Sequence, residues 1–219
     1  FSQHSWKRML AELGEEFAIE LATNSIVEPP IIVTCPSSSS LPDSVIPHTI
    51  DGFGVVPPSV DLSELFASHQ GLRVQDPTSA NALSLTSSLQ PQRILDVCAG
   101  RGTKTKQLRS MFPDAFIGAT EPNEIRRASL LEIADEYSIE VFAPGSQGPT
   151  EPFDLVVVDA PCSNSGVFAR RPEAKYRYNK KSVASVVELQ RSILSEATEV
   201  LQSRGHLLYA TCSIDDAEN

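Results

Sequence analysis

The sequence predicts an α/β fold in which a mostly parallel, doubly wound sheet follows a small α/β appendage at the amino terminus. From about residue 71, strand-like apolar runs alternate with helix-like patterns, and this alternation favours parallel strands joined by right-handed crossovers. The run Leu155–Val158 contains only apolar residues, as expected for a central strand covered on both faces. We therefore divide the chain into an appendage at 1–70 and a main domain at 71–219.

The appendage is predicted from its apolar spacing and its prolines. Apolar residues at helical spacing predict one amphipathic helix over 6–23, and the segment Glu28-Pro-Pro30 ends it. The following elements are, in order, a short strand at 31–33, a serine-rich loop at 36–40, a strand and turn at 45–58 and a short helix at 62–66.

The main domain begins with a helix, because Asp76 suits the N-cap and Pro77 suits the first turn. The predicted elements are, in order, helix 77–89, strand 93–97, helix 103–111, strand 115–120, helix 122–137, strand 139–142, strand 153–158, helix 182–202 and strand 206–211. We expect Gly205 to form the turn between the last helix and the last strand. A doubly wound sheet usually continues beyond this point, so we expect a chain truncated at the carboxyl end and at the amino end.

Composition and charge exclude several classes of protein. Hydrophobic residues make up 41% of the 219, and no apolar run approaches the roughly 18 residues that cross a bilayer. No signal peptide opens the chain, so we expect a cytoplasmic protein without a membrane segment. The four cysteines are widely spaced, which argues against a disulfide scaffold and against a metal site.

The charge distribution bears on nucleic-acid binding. The net charge of −10 disfavours a polyanionic partner, but residues 170–181 hold six basic residues and one acidic residue. This basic segment either contacts phosphates or is simply a solvated loop and helix start.

A glycine-containing loop, Asp96-Val-Cys-Ala-Gly-Arg-Gly102, connects a predicted strand to a predicted helix. Glu121 ends the next strand, and an acid there can accept both ribose hydroxyls of an adenosine. A dinucleotide fingerprint needs glycine where Thr105 stands, and the glycine spacing of a P-loop is absent ahead of Lys104. S-adenosylmethionine, an adenosine cofactor without a diphosphate, fits this loop better. The alternative is a tight turn that binds no ligand.

Two cysteines follow strands in similar settings. Cys162 stands in Asp159-Ala-Pro-Cys-Ser and Cys212 in Ala210-Thr-Cys-Ser. The carboxyl ends of parallel strands meet at one edge of a sheet, so we expect these thiols to converge there with Asp159. A reactive thiolate needs nearby positive charge or hydrogen-bond donors, which Lys104 and the basic segment can supply. Both cysteines can instead be buried core thiols.

The cysteine segments closely resemble motifs of the RsmB/NOP2/Sun family of RNA cytosine-5 methyltransferases. Asp159-Ala-Pro-Cys-Ser-x-x-Gly166 and Ala210-Thr-Cys-Ser213 are similar to the two cysteine motifs, and the segment 96–105 is similar to the cofactor motif. The resemblance covers residues 75–219 and, more weakly, 4–30. It implies a Rossmann-like class I methyltransferase fold.

The resemblance also implies a mechanism and a site. Cys212 matches the family's nucleophile, which adds to carbon 6 of a cytosine so that carbon 5 can accept a methyl group. Cys162 matches the cysteine thought to release the product, Asp159 is expected to engage the edge of the base, and Lys104 the base or cofactor. The implied cofactor-binding residues are Cys98, Ala99, Gly100, Arg101, Gly102, Lys104, Glu121, Arg126 and Asp159. The implied partner is RNA, ribosomal rather than transfer RNA, with the target base out of its stack.

Three features depart from the family pattern. The usual Pro-Gly-Gly-Lys is Arg101-Gly-Thr-Lys104, no acid is found in 141–146 after the third strand, and Asn164 replaces a small residue. A separate RNA-binding domain is not recognisable. A catalytically weakened RNA-binding or ribosome-assembly factor with this fold therefore stays open. So does a class I methyltransferase for a small molecule or protein, although paired thiols would be superfluous there.

Overall fold

The computed structural model describes residues 1, 3–35, 40–69, 71–144 and 150–219. The serine-rich loop predicted at 36–40 falls, at 36–39, outside these residues. The helices are α1 Gln3–Leu13, α2 Glu15–Asn24, α3 Leu62–Ser68, α4 Pro77–Ser84, α5 Thr103–Met111, α6 Glu124–Ala134, α7 Ala174–Arg177 and α8 Lys180–Glu199. The strands are β1 Ile31–Thr34, β2 Ile46–Pro47, β3 Phe53–Val56, β4 Arg73–Val74, β5 Arg93–Val97, β6 Phe116–Thr120, β7 Ile139–Phe142, β8 Phe153–Asp159 and β9 Leu201–Ala210. Two short 3₁₀ helices span Ser165–Val167 and Asp216–Glu218.

The chain forms two compact units. The sheet unit consists of Pro30–Val157 and Leu201–Leu208. The cysteine unit, named for Cys162 and Cys212, is assembled from Phe1–Pro29, Val158–Val200 and Tyr209–Asn219. The division of the chain at residue 70 stays a prediction.

The larger sheet of the sheet unit is parallel, with strand order β7-β6-β5-β8-β9. Ile94, Ile117 and Ile139 pair across β5, β6 and β7 and lie in one buried core cluster. All four residues of Leu155–Val158 are fully buried, which confirms that β8 is covered on both faces. The predicted α/β fold with a parallel sheet is therefore confirmed.

The order of the strands places the first candidate loop. From β5 the chain adds β6 and β7 on one side of the sheet, and then β8 and β9 on the other side. The gap between β5 and β8 is therefore the topological switch point of the sheet. Open α/β sheets bind ligands outside the carboxyl ends of their strands at such a point. The loop that follows β5 begins there.

A second, antiparallel sheet of order β2-β3-β1-β4 lies earlier in the same unit. It belongs to a small core built from valine and leucine side chains: Val33, Val45, Val56, Leu65 and Leu72. Asp61 caps α3 by accepting backbone N–H groups, as expected of an N-cap aspartate. The short strand predicted at 31–33 and the helix predicted at 62–66 are both present.

The cysteine unit shows where the prediction of one helix over 6–23 was wrong. Gly14 interrupts it with a φ of 78°, so α1 ends at Leu13 and α2 begins at Glu15. This left-handed conformation suits glycine and breaks the helical hydrogen-bonding pattern. Most of the expected apolar residues still reach a core: Met9 is buried in it, Trp6, Leu10, Leu13 and Leu21 pack against it, and Phe17 is exposed. The other buried members are Ala18, Phe168, Ala174, Tyr178 and Val183.

Two further boundaries differ near the end of the chain. α8 begins at Lys180 because Asn179 forms a capping box with Ser182. The expectation that Gly205 forms a helix-to-strand turn was wrong, because Gly205 lies inside β9. A Cβ atom there would approach the backbone oxygen of Asp154 to 3.1 Å, so glycine is needed where β9 passes close to β8.

Candidate active site

The loop after β5 folds tightly because three of its residues adopt left-handed conformations. The φ angles are 62° at Cys98, 62° at Gly100 and 85° at Gly102. A Cβ atom on Gly102 would lie 2.6 Å from the Ile133 side chain, so glycine lets α5 start close against α6. At Gly100 a Cβ atom would meet nothing within 4 Å, so the space above this part of the loop is open.

Glu121 ties this loop to the end of β6. Its side chain is 1% exposed. Oε2 accepts the N–H of Gly100 at 2.8 Å, and Oε1 accepts the N–H of Asn123 and the guanidinium of Arg126, both at 2.8 Å. A buried carboxylate held by three donors is fixed in position.

The other predicted residues of this loop have mainly local partners. Asp96 is fully buried and accepts the Thr105 hydroxyl at 2.6 Å, which joins the end of β5 to the start of α5. Ala99 donates its N–H to the oxygen of Thr120 at 2.9 Å. Lys104 donates to the Ser79 hydroxyl at 2.8 Å.

The cysteine unit brings the two predicted thiols together. Cys162 Sγ lies 3.0 Å from Cys212 Sγ. Cys162 is half-buried, whereas Cys212 is exposed, so neither is a buried core thiol. Cys212 Sγ also lies 3.2 Å from Asn164 Oδ1, while Asn164 Nδ2 donates to the oxygen of Cys162 at 3.0 Å. Asn164 adopts a left-handed φ of 59°, which asparagine tolerates better than most residues.

Backbone contacts hold the two cysteine loops side by side. The N–H of Ala160 donates to the oxygen of Ala210, and the N–H of Gly166 to the oxygen of Cys212, both at 2.9 Å. A Cβ atom on Gly166 would stand 2.8 Å from the Cys212 oxygen. The glycine at the end of the first cysteine motif is therefore explained by the close approach of the second.

The two thiols shift each other's pKa. The contact with Cys212 lowers the pKa of Cys162, because one thiol can donate to the thiolate of the other, although burial opposes this. The same contact raises the pKa of Cys212, and burial and the negative charge of Asp159 raise it further. The first negative charge of the pair is therefore held on Cys162. The sequence pointed to basic residues as its stabiliser, whereas the strongest influence is the neighbouring thiol.

A buried acid anchors the second cysteine loop. Asp215 is fully buried, and its carboxylate accepts the Arg8 guanidinium at 2.5 Å and the Tyr178 hydroxyl at 2.7 Å. Burial and Asp215 together raise the pKa of Tyr178, so this hydroxyl keeps its proton. Sequence reasoning missed this cluster, because nothing in the spacing of Arg8 links it to a residue 207 positions away.

The basic segment at 170–181 is partly structural. Lys175 donates to the oxygen of Ser25 at 2.5 Å, and Tyr178 is buried in the unit's core. The five other basic side chains of the segment are exposed: Arg170, Arg171, Arg177, Lys180 and Lys181.

Across residues 1, 3–35, 40–69, 71–144 and 150–219, no group of three or more histidine, cysteine or acidic side chains is arranged to hold a metal ion. In the same ranges, no helix has the length and apolar character that a membrane crossing requires.

The parallel sheet, its reversed strand order and the loop at its switch point define a Rossmann-like methyltransferase fold. Residues 83–219 match the family described as 16S rRNA methyltransferase RsmB/F, and the chain belongs to this family. The resemblance stated from the sequence is thereby confirmed. Membership of a methyltransferase family indicates S-adenosylmethionine as the cofactor.

Named relatives and solved structures agree with this assignment. Over 167 residues, 73% of the chain, it is 34% identical to the ribosomal RNA small subunit methyltransferase B of Vibrio cholerae, and it covers 38% of that protein. The chain thus spans less than two fifths of this relative's length. The structure of PH0851 has a TM-score of 0.82 at 22% identity, covering 98% of this chain and 53% of that one. NSun6 from Pyrococcus horikoshii, solved with SFG, has a TM-score of 0.81 at 14% identity, covering 100% and 85%. At these identities the two structures support the fold alone.

Proposed function

We propose that this chain transfers a methyl group from S-adenosylmethionine to carbon 5 of a cytosine in RNA, through a covalent bond between Cys212 and the base. The observation that carries the proposal is the 3.0 Å contact between the sulfur atoms of Cys162 and Cys212. Two thiols with opposite pKa shifts suit a reaction that needs a nucleophile and a proton acceptor. Membership of a 16S rRNA methyltransferase family supports RNA as the substrate and ribosomal RNA as its class.

We assign S-adenosylmethionine to the loop after β5 and to Glu121 at the end of β6. We assign the ribose hydroxyls to Glu121, whose buried carboxylate Arg126 and Gly100 hold in place. The open space at Gly100 leaves room for a ligand near the backbone of Cys98–Gly102. Lys104 and Asp159 complete the proposed cofactor set. When bound, S-adenosylmethionine supplies an electrophilic methyl group on its sulfonium sulfur.

Cys212 activates carbon 5 in this proposal. Carbon 5 of cytosine is a poor nucleophile until a thiolate adds to carbon 6, which turns the ring into an enamine. Addition of the thiolate places negative charge on the ring. A proton from solvent on nitrogen 3 neutralises this charge, and the Asp159 carboxylate accepts the resulting N–H as a hydrogen bond. After carbon 5 has gained the methyl group, its proton must leave before the carbon–sulfur bond breaks and aromaticity returns.

Cys162 handles protons in the same cycle. Because the first negative charge is held on Cys162, its thiolate can take the Cys212 proton across 3.0 Å as Cys212 bonds to carbon 6. Release of the product then requires a base for the proton on carbon 5. We assign this later role to Cys162 as well: it first passes the Cys212 proton to solvent, and its restored thiolate then takes the proton from carbon 5. In Cys162→Ala the contact that raises the pKa of Cys212 is gone, so Cys212 can still ionise and add to the base. Loss of Cys162 should therefore trap the adduct between Cys212 and RNA.

The experiment combines labelled S-adenosylmethionine, ribosomal RNA and four proteins: wild type, Cys212→Ala, Cys162→Ala and the control Cys35→Ala. We expect wild type and the control to transfer label to carbon 5 of cytosine. Cys212→Ala should lose transfer, and Cys162→Ala should accumulate an RNA-linked band on a denaturing gel. Parallel reactions with transfer RNA test the substrate class.

Equal transfer by Cys212→Ala and wild type would remove Cys212 as the nucleophile. Label at another position, or on protein, would contradict cytosine-5 chemistry. If wild type binds RNA but calorimetry detects no binding of S-adenosylmethionine, the chain is a binding factor that keeps the methyltransferase fold.

A further inference from the structure

Glu218 is a buried acid that contacts both cysteine loops. It is 2% exposed. Its Oε2 accepts the N–H of Ser163 at 2.8 Å, and its Oε1 accepts the hydroxyl of Ser213 at 2.7 Å. Ser163 directly follows Cys162, and Ser213 directly follows Cys212. One carboxylate therefore bridges the residues next to the two sulfur atoms.

The bridge is also anchored to α8. Gln190, which is 3% exposed, donates Nε2 to Glu218 Oε2 at 3.1 Å and to the oxygen of Pro161 at 2.9 Å. Pro161 directly precedes Cys162, so Gln190 and Glu218 hold the Cys162 loop on both sides of the cysteine.

Three serine hydroxyls extend the bridge. Ser213 Oγ lies 3.1 Å from Ser163 Oγ and 2.9 Å from Ser165 Oγ, and it accepts the N–H of Asp215 at 3.0 Å. A carboxylate oxygen offers only acceptor sites, so the Ser213 hydroxyl donates its proton to Glu218. Every partner of Glu218 named here is thus a donor, which only a group that accepts on both oxygens can satisfy.

We propose that Glu218 is a positioning residue that holds Cys162 and Cys212 at the sulfur separation needed for methyl transfer. This role rests on the proposed function, but the placement of the sulfur atoms can be measured without it. Glutamine at this position would place an amide N–H₂, which can only donate, against groups that also donate. Aspartate is shorter by one methylene group and would not reach both cysteine loops. Size and charge are therefore both required, and neither conservative variant should restore the bridge.

The test compares wild type, Glu218→Gln, Glu218→Asp and the control Asp216→Asn, which changes an exposed acid on the same 3₁₀ helix. Each protein is treated with oxidised glutathione at a temperature at which circular dichroism shows it folded. One protein thiolate attacks the reagent disulfide and releases a glutathione thiol. The second protein thiolate then displaces the other glutathione, so two electrons pass to the reagent and the Cys162–Cys212 disulfide forms. Peptide mass mapping gives the rate of the second step.

We expect both Glu218 variants to close the disulfide at least about tenfold more slowly than wild type, since misplacement of reacting atoms by about 1 Å can cost about a hundredfold in rate. Asp216→Asn should match wild type. In methyl transfer, the same variants should lower kcat and leave KM for S-adenosylmethionine within about twofold of wild type.

Disulfide closure at the wild-type rate in both folded Glu218 variants would overturn the positioning role, whatever the methylation result. Wild type that closes the disulfide yet transfers no methyl group to RNA would overturn the proposed function and leave the measured role of Glu218 intact. A variant whose KM rises while its kcat is unchanged would also count against positioning.

Discussion

The sulfur atoms of Cys162 and Cys212 share one contact, and removing either thiol should change the acidity of the other. Cys212→Ala removes the main influence that lowers the pKa of Cys162, so that pKa should rise. Iodoacetamide reacts with the thiolate. The midpoint pH of the reaction of Cys162 with iodoacetamide should therefore move upward. Peptide mass mapping across a pH series measures this midpoint. An unchanged or lower midpoint would mean that Cys212 does not stabilise the Cys162 thiolate.

The ion pair between Arg8 and Asp215 should matter for stability. Arg8 is 20% exposed in its side chain and Asp215 is fully buried, so Arg8→Ala leaves a buried carboxylate with the Tyr178 hydroxyl and backbone donors only. Removing one partner of a buried pair costs about 3–5 kcal/mol, and the partial exposure of Arg8 places the expected loss at the lower end. Urea unfolding measures it, with Lys7→Ala on the exposed side of α1 as the control. A loss below about 0.5 kcal/mol, typical of surface substitutions, would contradict a structural role for this pair.

Residue roles divide into those that the sequence could predict and those it could not. The two cysteines and Glu121 follow strand ends, and the apolar pattern of those strands indicated them as candidate site residues. No sequence pattern points to Glu218 and Gln190, because their role depends on hydrogen-bond partners that lie in other loops. Asn164 departed from the family pattern, and only its left-handed backbone and its two hydrogen-bonding groups explain its presence.

At the scale of elements, the break between α1 and α2 at Gly14 predicts that replacing this glycine by alanine destabilises the protein. In a continuous helix, Gly14→Ala would stabilise the protein by about 1 kcal/mol through helix propensity. With a φ of 78° and a ψ of 165°, a conformation that only glycine adopts readily, alanine is strained, and the change should instead cost about 1–3 kcal/mol. Urea unfolding decides between them, and Ala11→Gly inside α1 calibrates the cost of glycine in a regular helix. A gain in stability for Gly14→Ala would show that α1 and α2 can merge.

The accuracy of the predicted elements followed the strength of the local pattern. Strands β5 and β7 and helix α5 have the predicted bounds, because apolar runs and a glycine loop mark them clearly. The helix over 6–23 and the turn at Gly205 were wrong for one shared reason. Glycine occurs in helices, in turns and where two strands approach closely. Which of these a given glycine forms depends on the residues packed around it, and the local sequence does not show them.

At the scale of the whole molecule, charge should govern binding to RNA. The proposed function requires attraction to RNA against a net charge of −10, and we predict that the exposed basic residues of the segment 170–181 supply it. Each phosphate neutralised on single-stranded RNA contributes roughly 0.7 to the slope of log K against log salt. Lys180→Gln combined with Lys181→Gln should therefore lower that slope by roughly 1.4. Binding titrations over a salt series measure it.

The matched control for this prediction is Lys7→Gln, which removes positive charge from α1, outside the segment. The same change in slope per charge removed, roughly 0.7 for Lys7→Gln, would show that RNA responds to net charge alone. No change for the double variant would exclude both lysines as phosphate contacts.

The cysteine unit is built from three separate stretches of chain, and this has a consequence for how the protein is made. Arg8 meets its partner across 207 positions, so the unit depends on contacts of very high sequence separation. Such contacts close late and slow the search for the native state. During synthesis from the amino terminus, α1 and α2 emerge long before residues 209–219, with which they share the cysteine unit. The contact between Cys162 and Cys212 can therefore form only after these last residues have emerged.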